Sequence, residues 1–156
     1  MVSILVGTGT QVNVPDRAGR TPLYLSATIG HLEITRVLLE GGAIIEATDR
    51  FGGHTPLQSA VLNGHTDVAE ILLKHGANIE VIDGLEGFTP LGCAVSMNHA
   101  AIAKLLLDRG ANVEAANESG NTPLMAAARN GSEDLVMLLL EHGANINASN
   151  ERGHTP

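Results

Sequence analysis

The chain has 156 residues, 44% of them apolar, yet it holds no Trp, one Tyr and two Phe, which excludes a core built on aromatic rings. Its net charge of −8, from 9 basic and 17 acidic residues, excludes the clustered positive charge that a nucleic-acid backbone or an anionic membrane surface demands. A lone cysteine, Cys93, excludes an internal disulfide and points to a reducing compartment; the apolar run Val2–Val6 is too short and lacks the basic flank of a secretory leader. These features predict an intracellular protein, cytoplasmic or nuclear, that binds neither nucleic acid nor membrane.

The tripeptide Thr-Pro-Leu recurs at Thr21–Leu23, Thr55–Leu57, Thr89–Leu91 and Thr122–Leu124, and a final Thr155-Pro156 follows, at intervals of 34, 34, 33 and 33 residues. A period of this size marks a stacked-repeat array. In chain order, residues 1–15 read as a partial repeat comprising a second helix and its finger, with Ile4-Leu5-Val6, Gly9 and Val12-Asn13 in register with later units. Four full repeats follow at 16–48, 49–82, 83–116 and 117–149, and residues 150–156 open another. Both ends fall inside the period without the polar caps that stacked arrays carry, which predicts a segment of a longer array.

Each repeat predicts a pair of helices. Thr21, Thr55, Thr89 and Thr122 suit the N-cap, where a hydroxyl accepts from the first free N–H groups, and the proline after each suits the first helical position. The first helices then run through small and apolar residues to Gly30, Gly64, Asn98 and Gly131; glycine, and asparagine after it, tolerates the positive φ that ends a helix. Second helices open near His31, His65, His99 and Ser132, with Glu33, Asp67 and Glu133-Asp134 placed to favour the positive helix end, and no such charge at Ala101. Their apolar residues are Ile34, Val37, Leu38 and Leu39; Val68, Ile71, Leu72 and Leu73; Ile102, Leu105, Leu106 and Leu107; and Leu135, Leu138, Leu139 and Leu140. This stripe is wide enough to require cover on two sides. After Gly41-Gly42-Ala43 and its counterparts, the Gly-rich turns led by Asp16, Asp49, Asp83 and Asn117 predict a hairpin-like finger between units, one residue longer near Gly52-Gly53 and Leu85–Gly87.

The linked pattern of Asp, turn Gly, Thr-Pro-Leu, two small residues, Gly-His, Ile/Val-x-x-Leu-Leu and Gly-Ala-Asn resembles the ankyrin repeat family over residues 4–156. The resemblance implies an all-α solenoid of stacked antiparallel helix pairs with β-hairpin finger loops. It also implies a protein–protein interaction module that binds its partner through finger tips and the concave face of the first helices. Family units often carry His after Thr-Pro-Leu; here Tyr24, Gln58, Gly92 and Met125 stand there. Gln58 alone can form a reciprocal cap with Thr55, whereas Gly92 costs about 1 kcal/mol against Ala and predicts the third repeat to be the weakest. Family members can also be hydroxylated at the Asn that closes Gly-Ala-Asn-x-Asn. Asn147 matches that position and Asn13 matches it less well, while Glu46, Glu80 and Glu114 replace it elsewhere. These irregularities fit a natural sequence rather than a consensus design.

The chemistry-bearing residues follow the repeat register. His31, His65 and His99 recur at second-helix starts, His75 and His142 at second-helix ends, and His54 and His154 before Thr-Pro. Equivalent positions in a stack lie about 10 Å apart, too far to share one ion at about 2 Å. Cys93 reads as a small buried residue of a first helix, and no phosphate loop, zinc-protease helix or catalytic triad pattern is present. The chain is therefore expected to be no enzyme and to hold no metal or cofactor.

The expected binding positions are those that vary between units: Arg17, Arg20, Arg50, Phe51, His54, Leu85 and Phe88 in the fingers, and Ile29, Leu62, Met97 and Arg129 at first-helix ends. Exposed aromatic and arginine residues anchor interfaces; the opposing expectation is that Phe51 and Phe88 pack on neighbouring fingers. The partner is expected to be another protein, and the chain itself a monomer, with end-to-end stacking open to its uncapped termini. The competing reading is a spacer or elastic segment of a long array with no partner of its own.

Overall fold

The structure is a computed structural model that describes residues 12–156; Ile4-Leu5-Val6 and Gly9 of the expected partial repeat lie outside the described residues. Eight helices occur among them: α1 (Pro22–Ile29), α2 (Leu32–Glu40), α3 (Pro56–Leu62), α4 (Thr66–Lys74), α5 (Pro90–Ser96), α6 (Ala100–Asp108), α7 (Pro123–Asn130) and α8 (Glu133–Glu141). The chain divides into two compact units, Met1–Asn78 with α1–α4 and Ile79–Pro156 with α5–α8. In the first, α1 packs on α2 and α3, α3 on α4, and α2 on α4; in the second, α5 packs on α6 and α7, α7 on α8, and α6 on α8.

The caps form as the sequence dictates. The hydroxyls of Thr21, Thr55, Thr89 and Thr122 accept from the backbone N–H three residues on, at 3.2–3.3 Å. Gln58 completes the reciprocal arrangement, its Oε1 accepting from the Thr55 N–H at 3.0 Å in a fully buried position. Asn98 takes φ +60°, the sole non-glycine at positive φ among the described residues, and does at the end of α5 what Gly30 and Gly131 do after α1 and α7. Short links between the members of each pair turn the chain back on itself, so helices of a pair run antiparallel.

The core of the first unit holds Leu23, Ala27, Leu57, Val61, Val68 and Leu72, and that of the second Leu91, Val95, Ile102, Leu106, Leu124 and Leu139. Close packing of helices follows from the small residues Ala27, Ala60, Ala94 and Ala127, all fully buried. The two-sided cover expected for every second helix is met in α4 and α6, which bury Ile71 and Leu72, and Leu106 and Leu107. It is not met in α2 and α8. There Thr35, and Leu135 with Leu139, are buried, while Ile34 and Leu140 face solvent. Among the described residues these are the first and last of the second helices in chain order. Thr35 is accommodated by hydrogen bonds: its Oγ1 donates to the His31 carbonyl and lies 3.0 Å from Ser26 Oγ.

The fingers are turns closed by side chains, and no strand occurs among the described residues. Asp16 Oδ1 accepts from the N–H groups of Ala18 and Arg20. Asp49 Oδ1 accepts from Gly52 and His54, and Asp83 Oδ1 from Leu85, Glu86 and Gly87. Asn117 and Asn150 act in the same way. One carboxylate or amide oxygen thus gathers N–H groups that a strand ladder would have used, two at Asp16, Asp49, Asn117 and Asn150 and three at Asp83.

Candidate protein-interaction surface

Adjacent fingers are joined by few backbone bonds: Arg50 N–H to Ala18 O at 2.9 Å in the first unit and Glu118 N–H to Glu86 O at 3.1 Å in the second. Glycine makes this approach feasible. A Cβ on Gly19, which has φ +81°, would stand 2.8 Å from Arg50 Cγ, and one on Gly87 would stand 2.7 Å from Glu118 Cγ. The turn glycine of one finger is therefore a seat for the aliphatic stem of the residue that opens the next, whichever charge that stem carries.

A second link runs through the residues after Gly-Ala-Asn. Glu46 Oε1 accepts from the Asn78 N–H, Glu80 Oε1 from the Asn112 N–H and Glu114 Oε1 from the Asn145 N–H, each at 2.7 Å. Asn13 serves both ways, its Oδ1 accepting from Ile44 N–H at 2.7 Å and its Nδ2 donating to Gly42 O. Sequence reasoning treated these glutamates as departures from an asparagine motif. The signal that identifies them is their place in the period: one acceptor side chain per repeat. Asn147 is exposed at the next such position, with its backbone N–H on Asn145 Oδ1.

The residues expected to bind a partner fall into three groups. Phe51 is 80% exposed and follows exposed Arg50 in the chain, Arg17 is exposed, and Leu85 is 61% exposed at the finger of the second unit. Ile29 and Met97 project from the ends of α1 and α5, and Arg129 is exposed near the end of α7, where it lines an open cleft of about 370 Å³ with Met125, Asn150 and Pro156. The rest are engaged locally. Arg20 donates to Asp16 Oδ2 through Nη2 at 2.7 Å and Nε at 2.9 Å, and these two bonds to one oxygen hold the Asp16 carboxyl below its usual range. His54 is half-buried, its ring filling the space of a Cβ on Gly52, and its Nδ1 is 3.9 Å from Asp49 Oδ1. Leu62 is half-buried. Phe88 is half-buried too, with Cδ1 2.8 Å from where a Gly92 Cβ would stand. It packs over the first turn of α5 in its own repeat.

The histidines do structural work where their bonds are defined. His65 Nε2 lies 3.0 Å from the Thr28 carbonyl, bridging α4 to the end of α1, and the Nδ1 atoms of His75 and His142 lie 2.9 and 2.8 Å from the Ile71 and Leu138 carbonyls at second-helix ends. Among the described residues no three His, Cys, Asp or Glu side chains gather as metal ligands, and no helix is long and apolar enough to cross a membrane. Burial, reinforced by the neighbouring Asp83, pushes the Cys93 thiol up to about 12, so it stays protonated and poorly nucleophilic at neutral pH.

Capped helix pairs, repeated at one period and joined by side-chain-closed turns, define a helical-repeat protein. A family model described as ankyrin repeats in three copies matches residues 1–83 and 81–150, and the chain belongs to the ankyrin repeat family. Members of this family are generally protein–protein interaction modules and not enzymes. The chain is similar to ankyrin repeat domain-containing protein 13B of Mus musculus and of Homo sapiens, 54% identical over 37 residues, which are 24% of this chain and 6% of each relative. The match thus spans a small fraction of the relatives' length.

Proposed function

We propose that this chain, laid out as repeats 16–48, 49–82, 83–116 and 117–149, binds a protein partner through its finger tips and the ends of its first helices. The observation that carries the reading is where large apolar side chains are left in water. Phe51 and Leu85 at finger tips, and Ile29 and Met97 at first-helix ends, stand out while the interiors of α3, α5 and α7 are buried. Aromatic and aliphatic side chains beside arginines form the anchoring centres of interfaces. A second support is that none of these four side chains is needed to close a finger or cap a helix, since backbone groups and Asp, Asn and Thr oxygens do that.

The test is selection of binders from a random peptide library displayed on phage, followed by affinity measurement on alanine variants. Phe51→Ala and Ile29→Ala for peptides held by the first unit, and Met97→Ala for peptides held by the second, are each expected to weaken binding by about tenfold or more, the scale of an anchor residue. Glu40→Ala, on the exposed side of α2, is expected to change nothing. Binders indifferent to all three replacements, or no binders at all, would refute the reading.

A further inference from the structure

We infer that the finger edge of the first unit is a receptor for an acidic peptide segment in which carboxylates flank an apolar residue; this rests on the interaction reading above and specifies its partner. The argument begins with Arg50. Its stem lies across Gly19, its backbone N–H is bonded to Ala18 O, and its Nη1 reaches the Arg17 carbonyl at 3.4 Å. The guanidinium of Arg50 is thereby held over the turn that carries Arg17. Among the described residues neither Arg17 nor Arg50 makes an ion pair, whereas Arg20 in the same turn is neutralised by Asp16. Two like charges are therefore brought to one turn with neither held in an ion pair, and Phe51, which follows Arg50 in the chain, is 80% exposed.

Folding does not require positive charge there. The equivalent seats on Gly87 and Gly120 hold the stems of Glu118 and Glu151. At these three seats the stem is common and its head group varies, so the sign at each edge is free to be matched to a partner. Guanidinium groups take carboxylates in forked pairs, and the exposed Phe51, next to Arg50 in the chain, adds an apolar surface. An extended segment spaces alternate residues by about 7 Å on one face, which lets two acidic side chains and one apolar side chain meet neighbouring turns together. A nucleic acid is the poorer fit. Acidic residues outnumber basic ones across the chain, and the edge offers two guanidinium groups outside any ion pair where phosphate polymers need a continuous basic track.

The test uses fluorescence anisotropy on the full chain with labelled synthetic peptides in which Leu is flanked by Glu, by Gln, by phosphoserine or by Lys, and with a single-stranded DNA. The Glu peptide is expected to bind about tenfold more tightly than the Gln peptide, with affinity falling as salt rises. Arg17→Gln combined with Arg50→Gln should remove that difference and most of the salt dependence. Arg17→Glu with Arg50→Glu should transfer the preference to the Lys peptide, and circular dichroism should show these exposed-site variants folded. Equal binding of Glu and Gln peptides, a Glu peptide indifferent to the arginines, or preference for phosphoserine or DNA would overturn the inference. Phage-selected peptides that need Phe51 but ignore the arginines would overturn it while leaving the interaction reading intact.

Discussion

Gly92 offers the sharpest test of reasoning from structure against reasoning from propensity. By helix propensity alone Gly92→Ala should stabilise α5 by up to about 1 kcal/mol. The structure opposes this, because the new methyl would lie 2.8 Å from Phe88 Cδ1 and 3.6 Å from Phe88 Cβ, so the ring must swing away. A phenylalanine buries up to about 200 Å², and a half-buried ring therefore has about 2.5 kcal/mol at stake at about 25 cal/mol per Å²; displacing it forfeits about 1–2 kcal/mol of that. Gly92→Ala is thus expected to lower stability by about 0.5–1 kcal/mol when Phe88 is present and to raise it by about 0.5–1 kcal/mol in a Phe88→Ala background. The measurement is urea denaturation of the two single variants and the double variant, with hydrogen exchange at the α5 amides to localise the effect. A coupling energy near zero, with alanine stabilising both backgrounds alike, would show that Phe88 does not rest on Gly92.

Four further outcomes follow from the geometry. Gln58→Leu keeps much of the volume but leaves the buried Thr55 N–H without its acceptor, and should cost about 2–3 kcal/mol in urea denaturation. Glu114→Ala should speed hydrogen exchange at the Asn145 amide while leaving the α7 amides unchanged; unaltered exchange at Asn145 would deny the rung. Cys93 should resist iodoacetamide at neutral pH and become modified in step with urea unfolding, since its thiol is 3% exposed and pushed up to about 12. The Arg20 hydrogen bond lowers Asp16, and the Lys104 hydrogen bond lowers Asp108, below the ordinary carboxyl value of 3.8. A depressed folded-state carboxyl contributes its stability above that value and loses it as pH falls through the lowered one. Arg20→Gln should accordingly reduce the acid sensitivity of unfolding below pH 3.8, monitored by circular dichroism.

Much of the fold was legible because repetition samples the same physical problem several times. Four threonines before four prolines identify the N-caps, and Asn98 standing where glycine stands elsewhere identifies a positive φ. The reciprocal cap of Gln58 followed from spacing alone. Less legible were features that depend on which neighbour arrives. Phe88 and Phe51 both fall in turns before Thr-Pro but at different places in the period, Phe88 directly before Thr89 and Phe51 four residues before Thr55; the first covers Gly92 and the second stands in solvent. Arg17 and Arg20 likewise differ through one carboxylate: Asp16 captures the second and leaves the first. The exposed faces of α2 and α8 escaped notice because a stripe of Leu and Ile reports the need for cover and not its supply.

The bonds from Glu46, Glu80 and Glu114 to the next Asn N–H have a consequence for how such a chain changes over generations. Each carboxylate addresses a peptide group, which every successor possesses whatever its side chains. The joint is thus indifferent to the identity of the repeat that follows. A whole repeat gained, lost or exchanged by recombination would meet the same acceptor at the same place, while the finger tips beyond it remain free to diverge.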